Sequence, residues 1–248
     1  MIKAIRLSIF FVILFFSLLL YASDSLSQCN KKTFTIAIDI GHTKDQPGAT
    51  SYRGISEFYF NQNIGQRLFE ELVLHGFKQT FIINKNGNSI SLTDRTDISN
   101  KRKTDLFLSI HHDSVQPLYL SSWIHKGKQF LYSDEFSGYS IFYSQKNYKP
   151  KSSLEFARLL GSELRSNLFV PTLHHAENIK GENRKLVDKE KGIYEFNDLV
   201  VLKTATMPSV LIECGIIVNR DEEILLSNPV YQKAIVLSIV NAVEKFCN

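Results

Sequence analysis

Concentrated basic blocks are missing from this sequence. Its 248 residues carry 29 Lys and Arg against 25 Asp and Glu, a formal net charge of +4, and Lys3 and Arg6 supply part of that excess from the N-terminal leader. With no Lys/Arg run of the kind that tracks a phosphate backbone, nucleic acid is excluded as the main partner. Internal repeats and low-complexity tracts are also absent, which excludes repeat arrays and linker-like chains, and no appended module is recognisable. Cysteine is scarce at three, which in an exported chain allows one pair and one leftover. Cys29 and Cys247 lie just outside the first strand and at the end of the last helix, and chain termini are often close, so these two are the expected disulfide. Cys214 reads as a small buried residue rather than a nucleophile, since no His lies near it in a recognisable pattern.

One long apolar run stands out. Leu7 to Leu20 is almost unbroken, Lys3 and Arg6 precede it, and the small residues Ala22 and Ser23 follow. This pattern reads as a secretory signal over residues 1–23, cut near Ala22 to Ser25. The rival reading is an uncleaved membrane anchor, because the run approaches the length of a short spanning helix. Gln28 stands where lipidation of Cys29 would require a small residue, so Cys29 is not read as a lipid anchor. A short lead over residues 24–32 then precedes a domain over residues 33–248. The charged and apolar fractions, 22% and 44%, are those of an ordinary globular protein, and somewhat over about 220 residues suffice for one α/β domain with its own core.

Thr33 to Ile40, Leu106 to Ile110 and Val210 to Ile212 are short apolar runs that read as buried strands. Each gives way to a polar side chain: His42 after Gly41, His111, and Glu213. If the strands are parallel, these side chains emerge at one edge of the sheet, where ligand sites of open α/β folds gather. Ser56 is the expected N-cap of a helix in which Phe60, Ile64, Leu68 and Leu72 recur every four residues as one apolar stripe. Glu57 falls in its first turn. Ser153 to Leu168 and Pro229 to Phe246 are expected as amphipathic helices covering the sheet, with Pro229 at a helix start. His75, ahead of Gly76, reads as a helix C-terminal residue.

His42, Glu57 and His111 form a donor set of two imidazoles and a carboxylate, a set that holds catalytic zinc while leaving its fourth tetrahedral position to water. Such chemistry needs a carboxylate that does not bind the metal, takes a proton from water whose pKa has been lowered towards about 7, and hands it to the leaving nitrogen. Glu213, on a strand that runs into apolar surroundings which raise a carboxyl pKa, suits that role. Singly these residues read more simply: His42 as a turn residue, Glu57 as a helix-dipole partner. Their joint presence makes a zinc hydrolase the sharper expectation.

Five segments then carry a family resemblance. Ile38-Asp39-Ile40-Gly41-His42, Gly54-Ile55-Ser56-Glu57, Ser91-Leu92-Thr93-Asp94-Arg95, Asp105-Leu106-Phe107-Leu108-Ser109-Ile110-His111 and Leu211-Ile212-Glu213-Cys214-Gly215 resemble, in order, the zinc-dependent N-acetylmuramoyl-L-alanine amidases, over about Thr33 to Phe246. The resemblance implies a single-domain α/β fold with a twisted, mostly parallel six-stranded sheet flanked by helices. It also implies cleavage of the amide between the lactyl group of muramic acid and the first L-alanine of the stem peptide. On it, His42, Glu57 and His111 bind Zn2+ and Glu213 is the catalytic acid/base. Three departures stand out. Asp39-Ile40-Gly41-His42 replaces the usual Asp-Pro-Gly-His, Glu213-Cys214-Gly215-Ile216 replaces Glu-Leu-Gly-Phe, and His112 follows His111 where a small residue is common. The last leaves two adjacent imidazoles competing for one ligand position.

The implied partners are peptidoglycan and an activator protein, with no nucleic acid, no stable membrane insertion once the signal is cut, and a monomeric chain exported to the periplasm or secreted. Mild positive charge suits an anionic wall polymer. Two other classes stay open: a different zinc peptidase of cell-wall peptides, and a non-catalytic peptidoglycan-binding regulator. Carboxypeptidase ligand spacing would place a His and a Glu only a few residues apart, which this order does not. Arg95 and Asn100 match family positions, with structural pairing as their expected job. Val115 to Ser137, with Tyr119, Trp123, His125, Phe130 and Tyr132, reads either as an aromatic wall of the substrate groove or as a packed surface flap. Pro171 to Asp198, with His174, His175, Glu177, Glu182 and Arg184, is long for a plain loop and reads either as a segment shaping substrate access or as a regulated lid. A metal site made from His174 and His175 is not expected, because adjacent residues rarely both reach one ion.

Overall fold

A computed structural model describes residues 29–248 of the chain, so the leader reading for residues 1–23 lies outside the described residues. The run Ile36–Ile40 forms β1, with all five residues buried, the mark of a strand covered on both faces. The preceding residues Thr33 and Phe34 are instead tied into a turn through the Asn30 carbonyl, which shortens the strand expected from Thr33. Phe81–Ile83 (β2), Leu106–Asp113 (β3) and Ser209–Ile216 (β9) join β1 in parallel, in the order β2-β1-β3-β9. The parallel neighbours expected for the three site-bearing strands are therefore present.

The sheet continues from β9 through Ser140–Tyr143 (β6), Ile193–Glu195 (β8) and Lys185–Asp188 (β7). β6 runs antiparallel to β9 and parallel to β8, and β7 runs antiparallel to β8. This gives seven strands where six were expected. The segment after Pro171 supplies two of the seven, β8 and the edge strand β7, in which Lys185 is exposed and the other three residues are half-buried. Ser121–His125 (β4) and Lys128–Tyr132 (β5) form a separate antiparallel hairpin.

Three helices cover one face: Glu57–Leu74 (α1), Pro150–Ser166 (α3) and Pro229–Phe246 (α6), with α6 packed on both others. In α1 the predicted stripe is fully inside, with Phe60, Ile64, Leu68 and Leu72 at most 1% exposed. Gly65 lets α1 sit close to β1, since a Cβ there would stand 2.9 Å from Ile40 Cγ1. Leu92–Lys101 (α2) and the short Val200–Lys203 (α4) cover the other face, over Ala37, Phe107, Phe142, Tyr194 and Leu211. Arg220–Leu226 (α5) precedes α6, and Asn228 caps α6 by accepting from Val230 N, with Pro229 at its first position. Among the described residues no helix is long and apolar enough to cross a membrane. Cys214 is free and buried, whereas Cys29 and Cys247 are both disulfide-bonded.

Candidate active site

The first element of the site is the turn leaving β1. Gly41 N donates to Ile110 O at 3.0 Å and keeps the chain in the sheet. A side chain at Gly41 would strike the His111 ring at 2.3 Å. His42 then takes the left-handed conformation, φ 67°, which is costly for a residue with a Cβ. Its carbonyl is held there by Asn84 Nδ2 at 2.8 Å and Arg95 Nη2 at 2.6 Å. Arg95 rises from α2, buried, and its Nη1 also donates to Asp39 Oδ1 at 2.7 Å and Ile40 O at 2.6 Å. Ser109 Oγ completes the Asp39 carboxylate at 2.9 Å. The structural pairing expected of Arg95 is thus a clamp on the backbone that presents His42.

Glu57 opens α1 and is 4% exposed. Its two oxygens divide between two imidazoles: Oε2 lies 3.0 Å from His42 Nε2 and Oε1 lies 3.1 Å from His111 Nδ1. The two rings meet edge to face at 5.0 Å, and one ligand atom from each of the three residues falls within 4.8 Å of the others. Ala49 N donates to Oε2 and Asn61 Nδ2 to Oε1. Burial pushes the Glu57 carboxyl up, but hydrogen bonds and charge from His111 and His42 outweigh it and hold the group well below its ordinary 4.5. Gly48 passes so close that a Cβ would stand 2.3 Å from Glu57 Oε2 and 2.7 Å from His42 Cδ2. A buried carboxylate kept ionised between two imidazoles, in a cradle with no room for another side chain, fits a divalent ion of the zinc class.

Of the two adjacent histidines, His111 stands in this group and His112 does not. Strand alternation turns His112 to the other face, where it is buried against Phe60 with Nδ1 2.8 Å from Asn61 Oδ1. Burial lowers its pKa to about 3, so it stays neutral. Asn61 therefore orders both neighbours: it holds Glu57 Oε1, the Gly41 carbonyl and His112. It was not singled out from the sequence, although its position four residues after Glu57 places both on one helix face.

Glu213 sits on β9 in register with His111 on β3, adjacent strands being about 4.8 Å apart. Its Oε2 is buried without a hydrogen-bond partner. Burial raises its pKa well above the ordinary carboxylate value, and the charges of Asp113 and Glu57 push the same way. A cleft of about 350 Å³ opens beside His42 and His111, walled by Ile90, Leu92, Leu199 and Val200. Larger hollows, such as the one of about 780 Å³ beside Tyr139 and Tyr231, lie away from these groups.

The sequence profile of the Amidase_3 family, N-acetylmuramoyl-L-alanine amidases, matches residues 36–245. The chain belongs to this family. The amidase is 28% identical over 228 residues to a relative from Buchnera aphidicola of Acyrthosiphon pisum, covering 87% of this chain and 95% of that one. It is 25% identical over 224 residues to the N-acetylmuramoyl-L-alanine amidase AmiA of Escherichia coli K12, covering 85% and 75%. Among solved structures, the amidase Ami1 of Mycobacterium smegmatis shares the fold with a TM-score of 0.70 at 19% identity, covering 88% of this chain and 98% of that one. The CwlD amidase of Clostridioides difficile, solved in complex with the GerS lipoprotein, does so at 0.63 and 23%, covering 86% and 97%.

The two segments left open by the sequence have definite places in the amidase. The β4–β5 hairpin packs on the loop leading to α1: Trp123 Nε1 donates to Tyr52 O at 2.8 Å, its ring lies 5.1 Å from that of Tyr52, and Phe130 covers Gly54. In the segment after Pro171, His174 and His175 both turn their Nε2 atoms towards Asp113. That convergence is one the sequence reading discounted. Asn100 pairs with the Thr204 carbonyl and with Thr206, linking α2 to the chain after α4.

Proposed function

We propose that this amidase is zinc-dependent and cuts the amide between the lactyl group of muramic acid and the L-alanine of the peptidoglycan stem peptide, with His42, Glu57 and His111 holding the ion and Glu213 acting as acid and base. The observation that carries the reading is the convergence of His42 Nε2, both Glu57 oxygens and His111 Nδ1 beside a second carboxylate, Glu213, whose Oε2 has no partner. Bound zinc supplies Lewis acidity to a water molecule and to the scissile carbonyl. Glu213 takes the proton of the attacking water and returns it to the leaving nitrogen of L-alanine, and its raised pKa lets it hold that proton between the two steps. Arg95 and Asn61 act as positioning residues, one through the His42 backbone and the other through Glu57. The aliphatic walls of the cleft suit the small apolar residue at the cut. Export to the periplasm or beyond follows from the leader and from a wall substrate.

The test is to incubate the protein with purified peptidoglycan, with and without zinc, and to identify released fragments by mass spectrometry. Zinc-dependent release of intact stem peptides with a free L-alanine amine is expected, reduced by roughly 10²–10⁴-fold in Glu213→Gln with the bound zinc retained. Shortened peptides left on muramic acid would replace this reading with a peptidase, and no release despite bound zinc would replace it with a binding role.

A further inference from the structure

His174 and His175 share a short 3-10 turn, His174–Ala176, ahead of β7. Their side chains are 1% and 10% exposed, and their ring centroids lie 4.0 Å apart. Both Nε2 atoms face one atom, Asp113 Oδ2, at 3.4 Å from His174 and 2.8 Å from His175. None of these three buried atoms makes a well-formed hydrogen bond, and all fall within 4.8 Å of one another. Strain at such a point is relieved when something positive sits between the donors.

The outward nitrogens are anchored in the way that metal-bound imidazoles are. Thr172 Oγ1 lies 2.8 Å from His174 Nδ1, and Glu182 Oε2 lies 2.9 Å from His175 Nδ1. Glu182 is itself held by Gln116 Nε2 at 2.6 Å. A carboxylate or hydroxyl on one ring nitrogen fixes the imidazole and leaves the other nitrogen to a metal. Phe136 lies against the His174 ring and Phe142 against that of His175, so the pocket has apolar walls. The two adjacent rings lie at 36° to each other and still bring their Nε2 atoms to one oxygen, which sequence spacing alone does not reveal.

We propose that Asp113, His174 and His175 hold a second divalent ion of the zinc class. Two imidazole nitrogens and one carboxylate oxygen favour zinc or its neighbours in the first transition row over calcium or magnesium. Asp113 lies on β3 two residues after His111, so the ion ties the segment from Pro171 to Asp188 onto the strand that carries the first site. This does not depend on the first group holding a metal. The competing occupant is a proton, with the cluster as a plain ion pair around His175.

Metal content of the intact protein, loaded with zinc and dialysed, separates the two. The wild type should carry two equivalents, one per cluster; His174→Gln and His175→Gln should each lose one, and His42→Ala/His111→Ala should keep one. Cobalt(II) substitution of His42→Ala/His111→Ala should still give visible absorption of an imidazole-ligated site. Hydrogen exchange across residues 171–188 should speed up several-fold on chelation in that variant. This readout on an otherwise unaltered cluster keeps the test sound if a His174 variant folds poorly. One equivalent in the wild type that His42→Ala/His111→Ala loses, or wild-type metal content retained in full by the His174→Gln and His175→Gln variants, overturns the proposal. So does cobalt-free, chelator-insensitive behaviour of His42→Ala/His111→Ala.

Discussion

Replacing Arg95 by Met should destabilise the amidase severely and loosen the first site as well. Arg95 is 2% exposed and its guanidinium makes three contacts at 2.6–2.7 Å, with Asp39 Oδ1, Ile40 O and His42 O. Its loss leaves the Asp39 carboxylate, 1% exposed, with Ser109 Oγ as its remaining hydrogen-bond donor among side chains. Removing one partner of a buried pair costs about 3–5 kcal/mol, because the other charge stays buried. That is a large share of the roughly 5–15 kcal/mol that holds a domain together. At about 2–4 °C per kcal/mol for a chain of this size, the melting temperature should fall by roughly 6–20 °C. Arg95→Lys should fall between, since one ammonium cannot span three acceptors in a plane. The double variant Arg95→Met/Asp39→Leu should recover much of the loss, as apolar replacement of both partners removes the stranded charge. Affinity for the proposed zinc ion should drop in Arg95→Met and in the double variant, because the left-handed turn at His42 keeps only Asn84 as its side-chain clasp. Thermal melting monitored by circular dichroism, with metal content measured on the same samples, tests the reasoning. A melting temperature within about 2 °C of wild type for Arg95→Met would refute it.

Three further outcomes follow from the same packing. If the proposed site holds zinc, His112→Phe should keep the equivalent that His111→Ala loses, since His112 faces Phe60 and Asn61 instead of Glu57; loss of metal in His112→Phe would reverse the assignment. Burial raises the Glu222 carboxyl from 4.5 to about 7 against hydrogen bonds from Ile216 N and Gly138 N. Below about pH 4.5 it is protonated folded and unfolded; between there and about 7 the folded chain alone keeps the proton, so stability falls as pH rises, by roughly 3 kcal/mol in full. Denaturant unfolding of Glu222→Gln should show a flatter pH profile across that window, and an unchanged slope would assign the dependence elsewhere. Burial also raises the Cys214 thiol well above its usual value, so Ellman's reagent should find no reactive thiol in the native protein and one after unfolding without reductant; two or more would mean that Cys29 and Cys247 are not oxidised.

The sheet-forming runs and the helix stripe were legible because they are local. β1, β3 and β9 are built on largely apolar runs, and Phe60, Ile64, Leu68 and Leu72 repeat at helical spacing, so burial on one or both faces follows from neighbours in the chain. The positions of His42, Glu57, His111 and Glu213 at the ends of strands and the start of α1 were legible too, since each ends an apolar run or opens a helix. The edge strand β7 was hidden for the converse reason: four residues with a charge at each end are too short to show a period, and its pairing with β8 is set by the sheet.

What the sequence by itself determined is therefore the set of elements and the donor types at their ends. Tertiary structure decided the rest, by register and by turns whose partners are far along the chain. Pairing of β3 with β9 sets Glu213 opposite His111, 102 residues apart in sequence. Strand alternation selects His111 over His112 only once α1 has settled on a particular face of the sheet. The left-handed turn at His42 exists because Arg95 and Asn84 grip its carbonyl from other elements. His174 and His175 acquire a common focus only when the turn after Pro171 docks them on Asp113. Each of these depends on distances between segments separated in sequence, which chain-local propensity does not encode.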